Sequence, residues 1–138
     1  MPKNRLIYLA SPYSHPDPAV MQQRYEQACE ATAALTRQGY LVYSPIVHSH
    51  PLVSYGLPTD WGYWQQLDEA MIRRCQQLWI LTLDGWSTSR GIVSELRIVN
   101  LLGLPVYRYS LDECINGDIC LREVSENAYG FCGEGGQR

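Results

Sequence analysis

The stretch from Leu78 to Glu95, Leu-Trp-Ile-Leu-Thr-Leu-Asp-Gly-Trp-Ser-Thr-Ser-Arg-Gly-Ile-Val-Ser-Glu, constrains the fold more than any other. It opens with an apolar run, Leu78 to Leu83, of the length and make-up of a buried strand. Asp84-Gly85 is a turn pair. Ser87, Thr88 and Ser89 then offer N-cap side chains, and an apolar-periodic helix starts near Arg90. A strand, a loop of small polar residues and a helix N-terminus make a ligand site at the carboxyl end of a parallel sheet. Ile92, Leu96, Val99 and Leu102 form the face that should pack on the sheet, and Glu95 points inward with them. Such a carboxylate needs a reason. It could be structural, accepting a buried backbone N–H or pairing with Arg90 or Arg97. Because lone buried acids are uncommon unless paired, the favoured reading is a nucleophile or acid/base group held in a cleft.

The flanking sequence repeats the alternation of strand and helix. Arg5 to Ala10 reads as a first strand, followed by the proline-rich loop Ser11 to Pro18. Asp17-Pro18 is an N-cap and first-turn pair, and a helix is predicted from about Pro18 to Arg37, with Val20, Tyr25, Ala28, Thr32 and Leu35 near one face. Gln38-Gly39 ends it. Tyr40 to Ser44 reads as a second strand. The three prolines, two histidines and Gly56 between Pro45 and Asp60 predict a long loop, of the kind that tends to carry function. Asp60 caps a second helix, about Trp61 to Cys75. After the central strand and third helix, Gly103 stops the helix and Leu104 to Tyr109 is a fourth strand. A short helix or irregular segment follows from Leu111. Four glycines between Gly130 and Arg138 predict a flexible tail beyond a single domain over residues 1–129. The expected fold is α/β: a Rossmann-like, flavodoxin-like three-layer sandwich with a mostly parallel sheet of four or five strands.

The second helix carries a second misplaced acid. Trp64, Asp68, Met71 and Cys75 are spaced four, three and four apart, so Asp68 shares a stripe with three apolar residues. Arg73 and Arg74, five and six residues on, are poorly placed to pair with it. Inward carboxylates from adjacent helices can meet above the strand ends. Paired carboxylates in an enclosed site are the ingredients of glycosidic bond cleavage. No G-x-G-x-x-G follows the first strand and no G-x-x-x-x-G-K-[ST] occurs, which disfavours dinucleotide binding and P-loop chemistry, and no cofactor is expected.

These residues also carry a family resemblance. Ile7-Tyr-Leu-Ala-Ser-Pro-Tyr13 resembles the opening strand and loop of the nucleoside 2-deoxyribosyltransferase superfamily. Ser89-Arg-Gly-Ile-Val-Ser-Glu95 resembles its S-x-G-x-x-x-E signature, and Asp68 matches its substrate-holding aspartate. The spacing is most similar to the nucleoside 5'-monophosphate N-glycosidase branch, nearest to a bacterial and phage subfamily with Y-L-A-S-P-Y-S, H-S-H-P and G-W-x-x-S-x-G-x-x-x-E motifs. The resemblance covers roughly residues 5 to 108. It implies Glu95 as the nucleophile, Tyr8 hydrogen-bonded beside it, and Asp68 holding sugar hydroxyls or assisting the base. It implies that Ser89 and Gly91 bind phosphate or sugar at a helix N-terminus. Ser87 belongs to the same anion-friendly helix start, Ser11 of the first loop is a further candidate substrate contact, and Arg24, on the first helix after the Ser11–Pro18 loop, could be a second phosphate contact. The Asp84-Gly85-Trp86 insertion departs from the pattern, and Trp86 could stack on a base. His48-Ser-His50-Pro51 lies outside the transferase pattern. His48 and His50 could hydrogen-bond phosphate or base, pack the loop, or bind a metal, although no H-E-x-x-H is present and no metal is expected.

Three functions compete on these residues. One is an enzyme that cleaves the N-glycosidic bond of a nucleoside or its 5'-monophosphate, by hydrolysis or base exchange. The second is a nucleotide-sensing module that lacks turnover. The third is a metal-dependent hydrolase built on the histidine loop. The net charge of -3 argues against a nucleic-acid partner, and no run approaches the ~20 apolar residues of a membrane helix. Five cysteines, an odd number with no C-x-x-C spacing, favour a reduced cytoplasmic protein. The enzymes it resembles are dimers or larger, so a homodimer or higher homo-oligomer is expected. Trp61, Tyr63, Trp64, Trp86, Tyr107 and Tyr109 could supply the interface.

Overall fold

A computed structural model describes residues 4–113 and 121–124. The elements run β1 (Leu6–Ala10), α1 (Pro18–Arg37), β2 (Leu41–Tyr43), α2 (Pro45–Val53), α3 (Trp61–Ile72), β3 (Gln77–Leu81), α4 (Arg90–Leu102), β4 (Val106–Tyr109) and β5 (Leu121–Glu123), with 3-10 turns at Trp86–Thr88 and Leu111–Glu113. The sheet order is β2-β1-β3-β4-β5. The first four strands are parallel and β5 closes one edge antiparallel to β4. This is the flavodoxin-like order, whose topological switch falls between β1 and β3. The expected α/β sandwich is therefore the observed fold. The expected tail from Gly130 lies outside the described residues, as do Cys114, Cys120 and Cys132.

Alternation along the strands divides the core. Tyr8, Ala10, Leu78 and Ile80 face one layer, against Ile72 of α3 and Ile92, Leu96 and Val99 of α4. Ile7, Leu9, Trp79 and Leu81 face the other, against Ala31 and Leu35 of α1. β3 is buried at all five positions, as a central parallel strand covered on both faces must be.

The helix starts follow their caps. The Asp17 carboxylate accepts from the Ala19 N–H, that of Asp60 from the Tyr63 N–H, and the Ser89 hydroxyl from the Ile92 N–H. Of the three candidate caps for α4, Ser89 is the one used. Gly103 ends α4 at a φ of 72°, where a side chain would be strained.

Three expectations are corrected. The stretch predicted as a loop from Pro45 begins as a nine-residue helix, α2. Ser44 caps it by accepting from the Val47 N–H, and Pro45 occupies the first turn, where its missing N–H costs nothing. Leu102 is 38 % exposed, so the buried stripe of α4 ends at Val99. Tyr109 is 2 % exposed inside the α1-side core, which removes it from any subunit interface. Within α1 the buried residues are Ala28, Ala31 and Leu35, while Val20, Tyr25 and Thr32 are half-buried.

Candidate active site

A cavity of about 750 Å³ opens at the carboxyl ends of β1 and β3. Ser11 and Tyr13 of the β1–α1 loop, Trp61, Trp64 and Asp68 of α3, and Glu95 of α4 lie on its wall. The α4 start, from Thr88 to Gly91, forms another side.

Glu95 is 4 % exposed and Asp68 is 7 % exposed. Tyr8, on β1 and fully buried, donates its hydroxyl proton to Glu95 Oε2 at 2.5 Å. A bond from a neutral donor to a carboxylate is short and strong when charge-assisted, and it favours the ionised form. Burial works the other way and dominates, raising Glu95 to about 8, with the nearby Asp68 charge adding to the rise. Burial also raises Asp68, to about 7. The Tyr8 hydroxyl is pushed well above its ordinary range by burial first and then by the two carboxylates. Two acids that influence one another and both titrate near neutrality share about one proton there. Arg73 and Arg74 turn elsewhere: Arg73 pairs with Glu69 at 2.9 Å, and Arg74 donates to the Ala70 carbonyl at 2.8 Å.

Ser11 is 7 % exposed, and its hydroxyl oxygen is buried without a protein partner. It sits on the cavity wall. Arg24 also reaches the wall, but as a strut. It donates to the carbonyls of Tyr13 and Ser14 at 3.3 and 3.1 Å, and to the Asp84 carbonyl at 3.1 Å. It thus ties the β1–α1 loop to the β3–α4 loop across the switch point. Gly85, at a φ of 89°, allows this: a Cβ there would stand 2.8 Å from Arg24 Nη2.

The structure gathers Glu95, Asp68, Ser11, Arg24, Ser89 and Gly91 on one cavity, with Tyr8 beneath Glu95. It does not place His48, His50, Trp86 or Ser87 on that wall. Trp86 packs on the apolar core beneath the 3-10 turn, and Ser87 is exposed. His48 is exposed, edge-on to Trp64. His50 is bonded to Tyr13 and Gln22. In a loop, residues two apart can converge; on a helix they diverge by about 200°. It is Ile46 and Ser49, three apart, that α2 turns to the cavity. Trp61, Trp64 and Arg97 also line it. Trp64 was legible on the Asp68 stripe, and Arg97 only as a charge two residues past Glu95. Among the described residues no cluster of three His, Cys, Asp or Glu side chains could hold a metal ion.

Residues 5–111 match the family described as Domain of unknown function (DUF1937). The chain belongs to that family. Among solved structures, this DUF1937 protein is similar to a 2-deoxyribosyltransferase from the psychrotolerant bacterium Bacillus psychrosaccharolyticus, described as a biocatalyst for nucleoside synthesis. Identity is 26%, the TM-score is 0.55, and the match covers 80% of this chain and 77% of that one. Comparison with curated protein sequences gives no match. Among the described residues no helix of this family member is long and apolar enough to cross a membrane.

Proposed function

We propose that this protein cleaves the N-glycosidic bond of a nucleoside 5'-monophosphate or (deoxy)nucleoside, by hydrolysis or base transfer, through Glu95. One observation carries the reading. Two buried carboxyls, one of them oriented by a buried tyrosine, line one nucleotide-sized cavity at the sheet's switch point. The resemblance of the sequence motifs and the likeness to a 2-deoxyribosyltransferase support it.

The chemistry follows from the shared proton. Burial leaves Glu95 at about 8 and Asp68 at about 7, so the proton of the singly protonated pair rests mainly on Glu95. The reactive form is the minor one in which that proton has passed to Asp68, and the Tyr8 hydrogen bond favours the ionised Glu95 in it. Glu95 attacks the anomeric carbon, or stabilises its positive charge, as the bond to the base breaks. The electron pair leaves with the base, and Asp68, as a neutral acid, donates a hydrogen bond or proton to base or sugar. Water or a second base then takes the sugar. Desolvation is what makes this possible: it costs stability when the site is empty and strengthens the carboxylate's attraction for a developing sugar cation.

The α4 start suits a 5'-phosphate. Ser89 and Gly91 stand at a helix N-terminus, and Arg90 and Arg97 bring positive charge to the same wall. Ser11, with its unpartnered buried hydroxyl, supplies a further hydrogen bond. In this reading Arg24 shapes the site through the two loops it joins, while the phosphate contact passes to Arg90 and Arg97. The partner is a small molecule. Cys29 and Cys75 are free thiols, as suits a reducing cytoplasm. We further propose a homodimer or larger homo-oligomer; light scattering at micromolar concentration should give at least twice the chain mass, and a single chain's mass would reject it.

The decisive experiment is incubation with a panel of deoxynucleosides, ribonucleosides and their 5'-monophosphates, with free base measured. Release by the wild type and not by Glu95→Gln is expected. Binding without release of base from any member would leave a nucleotide sensor as the function.

A further inference from the structure

Behind Tyr13 runs a chain of hydrogen bonds whose direction is set at its outer end. The Glu26 carboxylate can only accept. The Gln22 amide N–H therefore donates to it, at 2.9 Å, which fixes the amide so that its oxygen faces His50. His50 Nε2 lies 2.9 Å from that oxygen, so Nε2 carries a proton and donates. Neutral imidazole has one N–H, which leaves Nδ1 as an acceptor. Tyr13 Oη lies 2.6 Å from Nδ1 and so donates to it. Stacking on Tyr25, at 4.3 Å between ring centroids, holds the imidazole in plane for both bonds. Burial lowers the His50 pKa, which keeps the ring neutral at pH 7.

Tyr13 is on the wall of the active-site cavity. A tyrosine hydroxyl has one proton, and here it is engaged by His50. Anything the oxygen offers to a molecule in the cavity is a lone pair. We propose that His50 is a positioning residue for specificity: through the Glu26–Gln22–His50 relay it makes Tyr13 an obligate acceptor, so the cavity favours a ligand that presents an N–H donor there. On the glycosidic reading, on which this substrate class rests, that ligand is a nucleotide with an exocyclic amino group on its base, in preference to its oxo counterpart. An oxo group would set lone pair against lone pair and leave both unsatisfied. Nothing in the Glu95–Asp68 chemistry requires the histidine, which accounts for a motif, His48-Ser-His50-Pro51, that the reaction itself leaves unused.

Two measurements test it. A long-range proton–nitrogen NMR spectrum of the wild-type protein at pH 7 should show His50 protonated at Nε2 and bare at Nδ1. The reverse tautomer, or an imidazolium, overturns the relay. Calorimetric titration of Glu95→Gln protein, which retains the cavity, should then compare deoxycytidine with deoxyuridine 5'-monophosphate, and deoxyadenosine with deoxyinosine 5'-monophosphate. The amino member of at least one pair should bind about 10-fold tighter. Adding Tyr13→Phe or His50→Phe should bring the ratio near one; His50→Phe keeps an aromatic ring against Tyr25 and only frees the tyrosine hydroxyl to rotate. Equal binding of both pairs, or a preference that survives Tyr13→Phe, overturns the proposal. Failure of all four nucleotides to bind would reject the nucleotide reading and its substrate class, and the His50 spectrum would separately decide the relay.

Discussion

The two faces of the sheet are built from the same strands and do different work. On the α1 side, Ile7, Leu9, Trp79 and Leu81 meet Ala31, Leu35 and Tyr109. The buried Trp79 indole N–H donates to Gln77 Oε1 at 2.8 Å, and the unpartnered Thr32 hydroxyl of α1 is neutral, so among the described residues this side buries no charge. On the α3–α4 side, one residue along each strand, Tyr8 and Ile80 meet a layer that contains Glu95 and Asp68. There the buried polar groups are acids held near neutrality by lack of water. Both layers bury apolar side chains, but among the described residues only the α3–α4 side also carries two desolvated acids, which cost stability there.

Breaking the α1 side should have the largest effect. Trp79→Ala removes the largest fully buried side chain and should cost about 3–5 kcal/mol, with little change in the active-site groups. Urea denaturation measures it; a loss under about 1 kcal/mol would mean that Trp79 is not packed in a close-fitting core on this face.

Glu95→Gln should do the opposite. We expect at least a ~100-fold loss of turnover, about 2.7 kcal/mol of barrier, with the fold intact. It should also change how stability depends on pH. Folded Glu95 ionises at about 8 against an ordinary 4.5. Between those values the unfolded chain holds fewer protons than the folded one, so wild-type stability falls as pH rises. Glutamine removes that slope. The variant should melt at least about 5 °C above wild type at pH 9 and close to it at pH 4. Equal melting at both pH values would show that the carboxyl is not desolvated as the structure has it.

Activity should be confined to the singly protonated pair. Asp68 and Glu95 titrate at about 7 and about 8. The profile of kcat/KM should therefore be bell-shaped with its maximum in that interval, falling up to about tenfold per pH unit well outside it. A flat profile from pH 5 to 9 would remove the shared proton from the mechanism.

The smallest expected effect concerns the rim. Ser89→Ala and Arg90→Ala should lower the preference for a 5'-monophosphate over its nucleoside by roughly 3- to 10-fold each, read as a ratio of kcat/KM values. Taking the ratio cancels the cost of losing the α4 cap, since that cost falls on both substrates. An unchanged ratio in both variants would put the phosphate elsewhere on the wall.

Much of the fold and of the site was legible in the chain. The period-3.6 stripes of α3 and α4 are enough to turn Asp68 and Glu95 inward, because a helix carries its side-chain directions in its sequence. Strand and helix alternation was enough for a parallel sheet, since parallel strands need crossovers. Caps at Asp17, Asp60 and Ser89 set three helix starts. Ser44-Pro45 carried the same kind of signal for α2, but three prolines over sixteen residues outweighed it. Tertiary structure decided what depends on residues far apart in sequence. Tyr8 meets Glu95 across 87 residues and Tyr13 meets His50 across 37, pairings that no local period encodes. Arg24, a phosphate ligand by its position after a loop, became a brace once the fold brought the Asp84 carbonyl within 3.1 Å, because a guanidinium satisfies whatever acceptors the chain places around it.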